Sequence, residues 1–269
     1  MKKAISLFCI LALLFSFGAC ASRAPAAGPA QPQDGALRLR IVDGAGTDLL
    51  VLAGETGGVY TVVTDGRLKL SENGETADVS ELENGMILSF GADCQILETW
   101  PAQIAGGDVL SGSGADILAE IEPLGNEDHG DLCGLYLQVL EDLWTEDSGL
   151  NGDIAYISVD LSGAPGGLTD GEKAAVAWIF ANRHGAQALQ LGYEELKANG
   201  YLQDAYYWED GVLFSIEKAE KGTNSEKKIT FDAEKWRSGL GALFFNGCTA
   251  KRGAGVRWEA YKVGEFAIS

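Results

Sequence analysis

Residues 36–70 read ALRLRIVDGAGTDLLVLAGETGGVYTVVTDGRLKL, and this stretch decides the first half of the fold. Alternation puts Leu37, Leu39 and Ile41 on one face of an extended segment and Arg38 and Arg40 on the other. Asp43-Gly44-Ala45-Gly46 turns the chain and Gly57-Gly58 turns it again. Asp65-Gly66 is a hairpin signal, because tight hairpin turns need positive φ and glycine adopts it freely. The spacing predicts strands over 36–42, 49–53, 59–64 and 67–70. Segments 86–90 and 95–100 complete the set, with one helical turn at 79–82. Strands this short and this closely spaced point to a small β-barrel over 36–110.

Farther along, Glu81-Leu82-Glu83-Asn84-Gly85-Met86-Ile87 is followed by Ile96-Leu97-Glu98-Thr99-Trp100-Pro101-Ala102-Gln103-Ile104. These residues resemble an OB-like domain of uncharacterised secreted lipoproteins of Gram-positive bacteria. The resemblance covers about residues 37–110. It implies a fold and a surface location and no reaction.

Residues 111–130 are rich in Gly, Ser, Asp and Glu and read as a linker between two separable domains. The second domain, 131–269, opens with Leu132, Leu135, Tyr136, Val139, Leu140, Leu143 and Trp144 at helical spacing. Asp131 precedes them, where a carboxylate favours the helix dipole. Thr169 with Glu172 three residues on is a capping box for a helix through about Arg183, and Gly185 can end it. A short helix at 193–199 closes on Gly200. Segments 154–161, 212–217, 227–231, 241–249 and 256–268 read as strands. The expected class is α+β: a small OB-like β-barrel, then an α+β domain with helices on an antiparallel sheet.

Upstream, residues 1–20 read MKKAISLFCILALLFSFGAC. Lys2 and Lys3 form a positive n-region, and 5–17 is an apolar run too short to span a bilayer. Phe17-Gly18-Ala19-Cys20 resembles the lipobox of bacterial lipoprotein signal peptides, with Phe17 in place of the usual leucine. The resemblance implies a signal peptide over 1–19 and lipidation of Cys20. Residues 20–35, rich in Ala, Pro, Gln and Gly, then form a flexible tether. The expected location is the cell envelope, lipid-anchored outside the cytoplasmic membrane. Cys94, Cys133 and Cys248 remain in the mature body, an odd number. Three reduced thiols and a single bridge are both open, with Cys133–Cys248 the favoured pair.

Formal charge is −19, and loss of the two leader lysines takes the mature chain to −21. A nucleic-acid partner is excluded, because it requires a basic footprint. From Leu70 through Glu172 there are 22 acids and no Lys or Arg, whereas Lys218 to Lys262 holds ten Lys/Arg and five acids. The basic segment is expected to dock on the acidic one.

Sites for chemistry are sparse. His129 and Cys133 stand four apart at a helix start, the spacing of an activated thiol, but the surrounding acids read as a solvated linker. His184 sits where a helix ends and suits the dipole there. Asp147, Asn151 and Asp153 partly match a calcium loop, yet Gly149 and Ser158 fill two ligand positions. Tyr201, Tyr206, Tyr207, Trp208, Trp236, Trp258 and Tyr261 form an aromatic set that reads mainly as core, with a stacking surface as the alternative. No catalytic residue, cofactor or metal is assigned. The functional expectation is a non-catalytic binding or accessory module with a cell-wall or protein partner. The alternative is a secreted hydrolase using carboxylates in an inter-domain cleft.

Overall fold

The computed structural model describes residues 36–106, 114–125, 128–202, 204 and 206–269. The leader, Cys20 and the 20–35 tether lie outside the described residues. The class is α+β, built as two sheets with the two longer helices between them.

The first sheet has nine strands: β1 (Leu37–Asp43), β2 (Leu49–Ala53), β3 (Val59–Val63), β4 (Leu68–Glu72), β5 (Glu75–Ala77), β6 (Ile87–Phe90), β7 (Gln95–Leu97), β8 (Ala102–Ala105) and β9 (Ile117–Glu122). Their spatial order is β5-β4-β9-β6-β1-β2-β3-β8-β7, so the sheet is a curled half-barrel with β5 and β7 at its ends. Strand β9 corrects the linker reading. Ile117, Ala119 and Ile121 alternate inward while Leu118 and Glu120 point out, and the strand lies between β4 and β6. Leu118 at an outward position broke its alternation, and the flanking Gly, Ser and Asp residues read as a linker. The predicted helical turn forms at Val79–Glu81, capped by Asp78.

The second sheet contains β10 (Tyr156–Asp160), β11 (Gln187–Leu189), β12 (Gly211–Lys218), β13 (Lys228–Ser238), β14 (Gly241–Arg252), β15 (Trp258–Lys262) and β16 (Glu265–Ile268). It is mixed rather than antiparallel, because β10 pairs parallel with both β11 and β12. The connections explain this. The chain crosses from β10 to β11 through α2 (Asp170–Arg183) and returns to β12 through α3 (Tyr193–Ala198), and helical crossovers join parallel strands. From β12 onward the sheet is antiparallel.

Helix α1 (Leu132–Glu146) buries seven of its apolar side chains and Cys133. Asp131 caps it by accepting from Gly134 N at 3.0 Å. Thr169 caps α2, and the reciprocal bond runs from Thr169 N to Glu172 Oε2 at 2.7 Å. The inner face of the curled sheet has its own core, including Leu39, Ile41, Leu52, Val62 and Phe90. Its outer face supplies Val42, Val51, Ala53 and Val59 to the core that α1, α2 and the second sheet share. The two halves therefore meet over a common apolar layer. Contact is close enough that a Cβ on Gly171, in the first turn of α2, would fall on the Gly54 carbonyl oxygen.

Candidate functional site

Two polar assemblies occupy the junction between the halves. The first is buried. Arg40, 9% exposed, leaves the outer face of β1 and meets α2 and the 128–130 segment. Its Nε donates to Glu172 Oε1 at 2.5 Å, and Nη1 and Nη2 donate to the two Asp128 oxygens at 3.0 and 2.8 Å. Nη1 also donates to Gly85 O at 2.7 Å. His129 Nε2 lies 3.2 Å from Glu172 Oε2. Burial would push the Glu172 carboxyl up, but His129, Arg40 and the Thr169 N–H outweigh it and hold it at about 2. Burial likewise opposes Asp128, yet Arg40 and the Gly130 N–H keep it below the ordinary value. Every member of this cluster is paired, so it ties the halves together.

The second assembly is open. A groove of about 480 Å³ runs between the curled sheet and α1, walled by Asp43, Glu83, Asp131, Glu141, Arg183 and Arg257, with Asn84, Gln138 and Trp258 beside them. Most of these charges hold one another. Arg183 Nη2 is 2.7 Å from Asp43 and Nη1 3.3 Å from Glu141. His184 Nε2 lies 2.9 Å from Glu141, with its ring stacked on Trp144 at 3.8 Å. Arg257 Nε is 3.5 Å from Glu83. Asp131 differs: among the described residues no cation forms a salt bridge with it. Burial raises its carboxyl to about 6, with Asp43 adding to the effect and the Gly134 N–H, Arg257 and Arg40 opposing it. A raised carboxyl in an open cavity makes Asp131 a candidate functional group beside its structural role as the cap of α1.

The residues singled out from sequence are distributed as follows. Cys133 is buried with its thiol pushed well above the usual range, so it is no activated nucleophile beside His129. Cys94, Cys133 and Cys248 are all free thiols, and the Cys133–Cys248 bridge is not formed. His184 caps α2, as its position suggested. Asp147, Asn151 and Asp153 lie in the turn after α1, and a lysine caps the helix end beside it. Lys235 Nζ, fully buried, donates to the carbonyls of Leu143 and Trp144 at 3.3 Å and Asp147 at 2.5 Å, sealing the end of α1. The Asp147 side chain accepts from Gly149 N, and Asn151 Nδ2 donates to Trp144 O. Of the aromatic set, Trp208 is core and Tyr206 is 74% exposed. The basic segment makes one ion pair to the acidic half among the described residues, Arg257 to Glu83.

Arg40, Glu172, Asp43 and Arg183 were not foreseen as a group. Arg40 and Glu172 are 132 positions apart, and no local pattern links them. The sole local hint was a lone arginine pair on one face of an otherwise apolar strand. No protein family, curated protein or solved structure matches the chain.

Proposed function

We propose that this is a lipid-anchored protein of the cell envelope whose folded body binds a ligand in the groove between its halves. Lipidation at Cys20 and a surface location follow from the leader and carry over to this reading. An OB-like origin for the curled sheet is supported by the β1–β2–β3 meander and by the parallel pairing of β3 with the later strand β8. The observation that carries the binding role is the mutual pairing of the groove's charges. Asp43, Glu83 and Glu141 are held by Arg183, Arg257 and His184, which makes a fixed hydrogen-bonding wall rather than a free acid–base couple.

The test has two parts. The native protein should carry its N-terminus on an acylated Cys20 and partition into detergent, and Cys20→Ser should abolish both. The Cys20→Ser chain, which has no lipid to insert, should be retained by washed cell envelopes through its folded body. An unmodified N-terminus at residue 21 or beyond, or no retention, refutes the proposal.

One observation favours a second reading, a hydrolase working through groove carboxylates. Asp131, raised to about 6, could donate a proton near neutral pH, and Asp43 stands in the same groove, 2.7 Å from Arg183 Nη2. That reading requires release of new reducing ends or other cleavage products from an envelope preparation, and their loss in Asp131→Asn.

A further inference from the structure

Trp258 lines two cavities. One is the groove above. The other, about 250 Å³, lies beside Asp128 and His129 and is closed by Asn224, Ser225 and Glu226. The short run 128–131 walls both, with Asp131 on the groove side and Asp128 and His129 on the other. Trp258 is fixed where they meet. Its Nε1 donates to His129 O at 2.7 Å, and part of the ring packs on the shared core. Nearby, Asp131 N donates to Val256 O at 2.6 Å, which pins the strand entering Trp258. The half-buried indole is thus a rigid platform between two hollows.

What remains free to bind a ligand is specific in kind. Arg183 is engaged by Asp43 and Glu141, Arg257 makes one 3.5 Å contact to Glu83, and four acids face two arginines there, so the groove's charge disfavours an anionic ligand. Hydrogen-bonding groups are left over. Asn84 Oδ1 is taken by Ala45 N, which leaves its amide hydrogens, and Gln138 stands exposed on α1. In the smaller cavity Asn224 Nδ2 is buried without a partner among the described residues, and Glu226 is exposed at the rim. Such walls suit a molecule with hydroxyls around its edge and an apolar C–H face that can lie on an aromatic ring. A sugar ring has this form, and its C–H bonds meet the negative face of the indole.

We propose that the two cavities form one track for a neutral oligosaccharide, with one sugar ring on the Trp258 indole and its neighbours in the hollows on either side. The proposal rests on the reading of the body as a binding module and names its ligand class.

The experiment is calorimetric titration of the full chain in detergent micelles with four-residue oligomers of N-acetylglucosamine, of β-linked glucose and of α-linked glucose. Tetralysine is titrated in parallel. At least one tetrasaccharide should bind, at least tenfold more tightly than its monosaccharide. Trp258→Ala should weaken it tenfold or more and Trp258→Phe much less. Because Trp258 also touches the core, two exposed positions serve as independent probes. Gln138→Ala in the groove and Glu226→Ala in the smaller cavity should each weaken binding severalfold. Failure of all three tetrasaccharides, binding indifferent to both Gln138→Ala and Glu226→Ala, or tetralysine binding in their place would overturn the proposal. If washed envelopes still retain the chain while no tetrasaccharide binds, the ligand class fails and the binding module stands. If neither binds, both fail.

Discussion

Replacing Glu172 with glutamine probes the contact that joins the halves. The carboxylate is 2% exposed and accepts from Arg40 Nε, His129 Nε2 and Thr169 N. Glutamine keeps the shape and an acceptor for the cap but loses the charge. Burial alone would raise the Glu172 carboxyl, and its partners instead hold it at about 2 against an ordinary 4.5. At ~1.36 kcal/mol per pH unit, that drop corresponds to about 3 kcal/mol of stability. A depressed carboxylate contributes this stability in full above pH 4.5 and loses it as the pH falls through 2. Glu172→Gln should therefore cost about 3 kcal/mol at pH 7, in line with ~3–5 kcal/mol for breaking a buried ion pair. The gap to the parent protein should narrow below pH 4.5 and nearly close by pH 2. Urea unfolding followed by tryptophan fluorescence at a series of pH values reads both effects. Other carboxylates titrate in the same range, so the difference between the two proteins is the quantity to follow. A loss under ~1 kcal/mol at pH 7, or a gap unchanged between pH 7 and pH 2, would refute the assignment of this cluster as the electrostatic tie.

Asp131→Asn should act in the opposite direction. The acid is raised from 3.8 to about 6, so folding is weakened as pH climbs through that window, and asparagine keeps the helix cap while removing the charge. A gain of about 1–3 kcal/mol at pH 7 in a urea titration is expected, and a loss would show that the carboxylate stabilises the groove. Lys235 is lowered by burial to about 8, against the weaker pull of Asp147. The unfolded chain then binds the extra proton between pH 8 and 10.5, so this group makes stability rise with pH there. The melting temperature of Lys235→Met relative to the parent should fall across that range, and a flat difference would refute the burial argument. Gly171→Ala, a change that favours an exposed helix by about 1 kcal/mol, should instead destabilise by about 1–3 kcal/mol, because its Cβ would fall on Gly54 O; a higher melting temperature would show that the layers can part. Sodium chloride from low to moderate concentration should raise the melting temperature, since Arg257–Glu83 is the one ion pair from the basic segment to the acidic half among the described residues and 22 acids between Leu70 and Glu172 repel one another. A fall would mean that attraction between the segments dominates.

Much of the fold was legible because local rules set it. Leu37, Leu39 and Ile41 alternate into the inner core as read, and Thr169 and Glu172 form the capping box at the start of α2. The helical spacing from Leu132 also marks the buried face of α1. The misses have a common physical source. Strand β9 was hidden because outward Leu118 breaks its alternation within a Gly-, Ser- and Asp-rich stretch, and its partners β4 and β6 come from far back in the chain. The parallel pairing of β10 follows from the crossovers through α2 and α3 that carry the chain back before β11 and β12, a relation between elements that no strand's own residues encode.

The same limit hid the junction, and it explains why the groove lies where it does. Val42, Val51, Ala53 and Val59 occupy positions that a free-standing barrel would leave in water, and Arg40 shares their face. Once α2 covers that face, Arg40 has to be paired inside, and Glu172 and Asp128 meet it from two other segments. Both residues that complete this pairing sit at chain turns: Glu172 in the first turn of α2, and Asp128 just before the cap of α1. His129 and Asp131, on either side of buried Gly130, then line the two cavities beside Trp258. The buried cluster therefore fixes the floor of the open one. A change at Arg40 that leaves the protein folded should shift Asp131 and Trp258 together, read as a change in tryptophan emission and as weaker binding of the proposed tetrasaccharide; unchanged emission and affinity would refute this coupling.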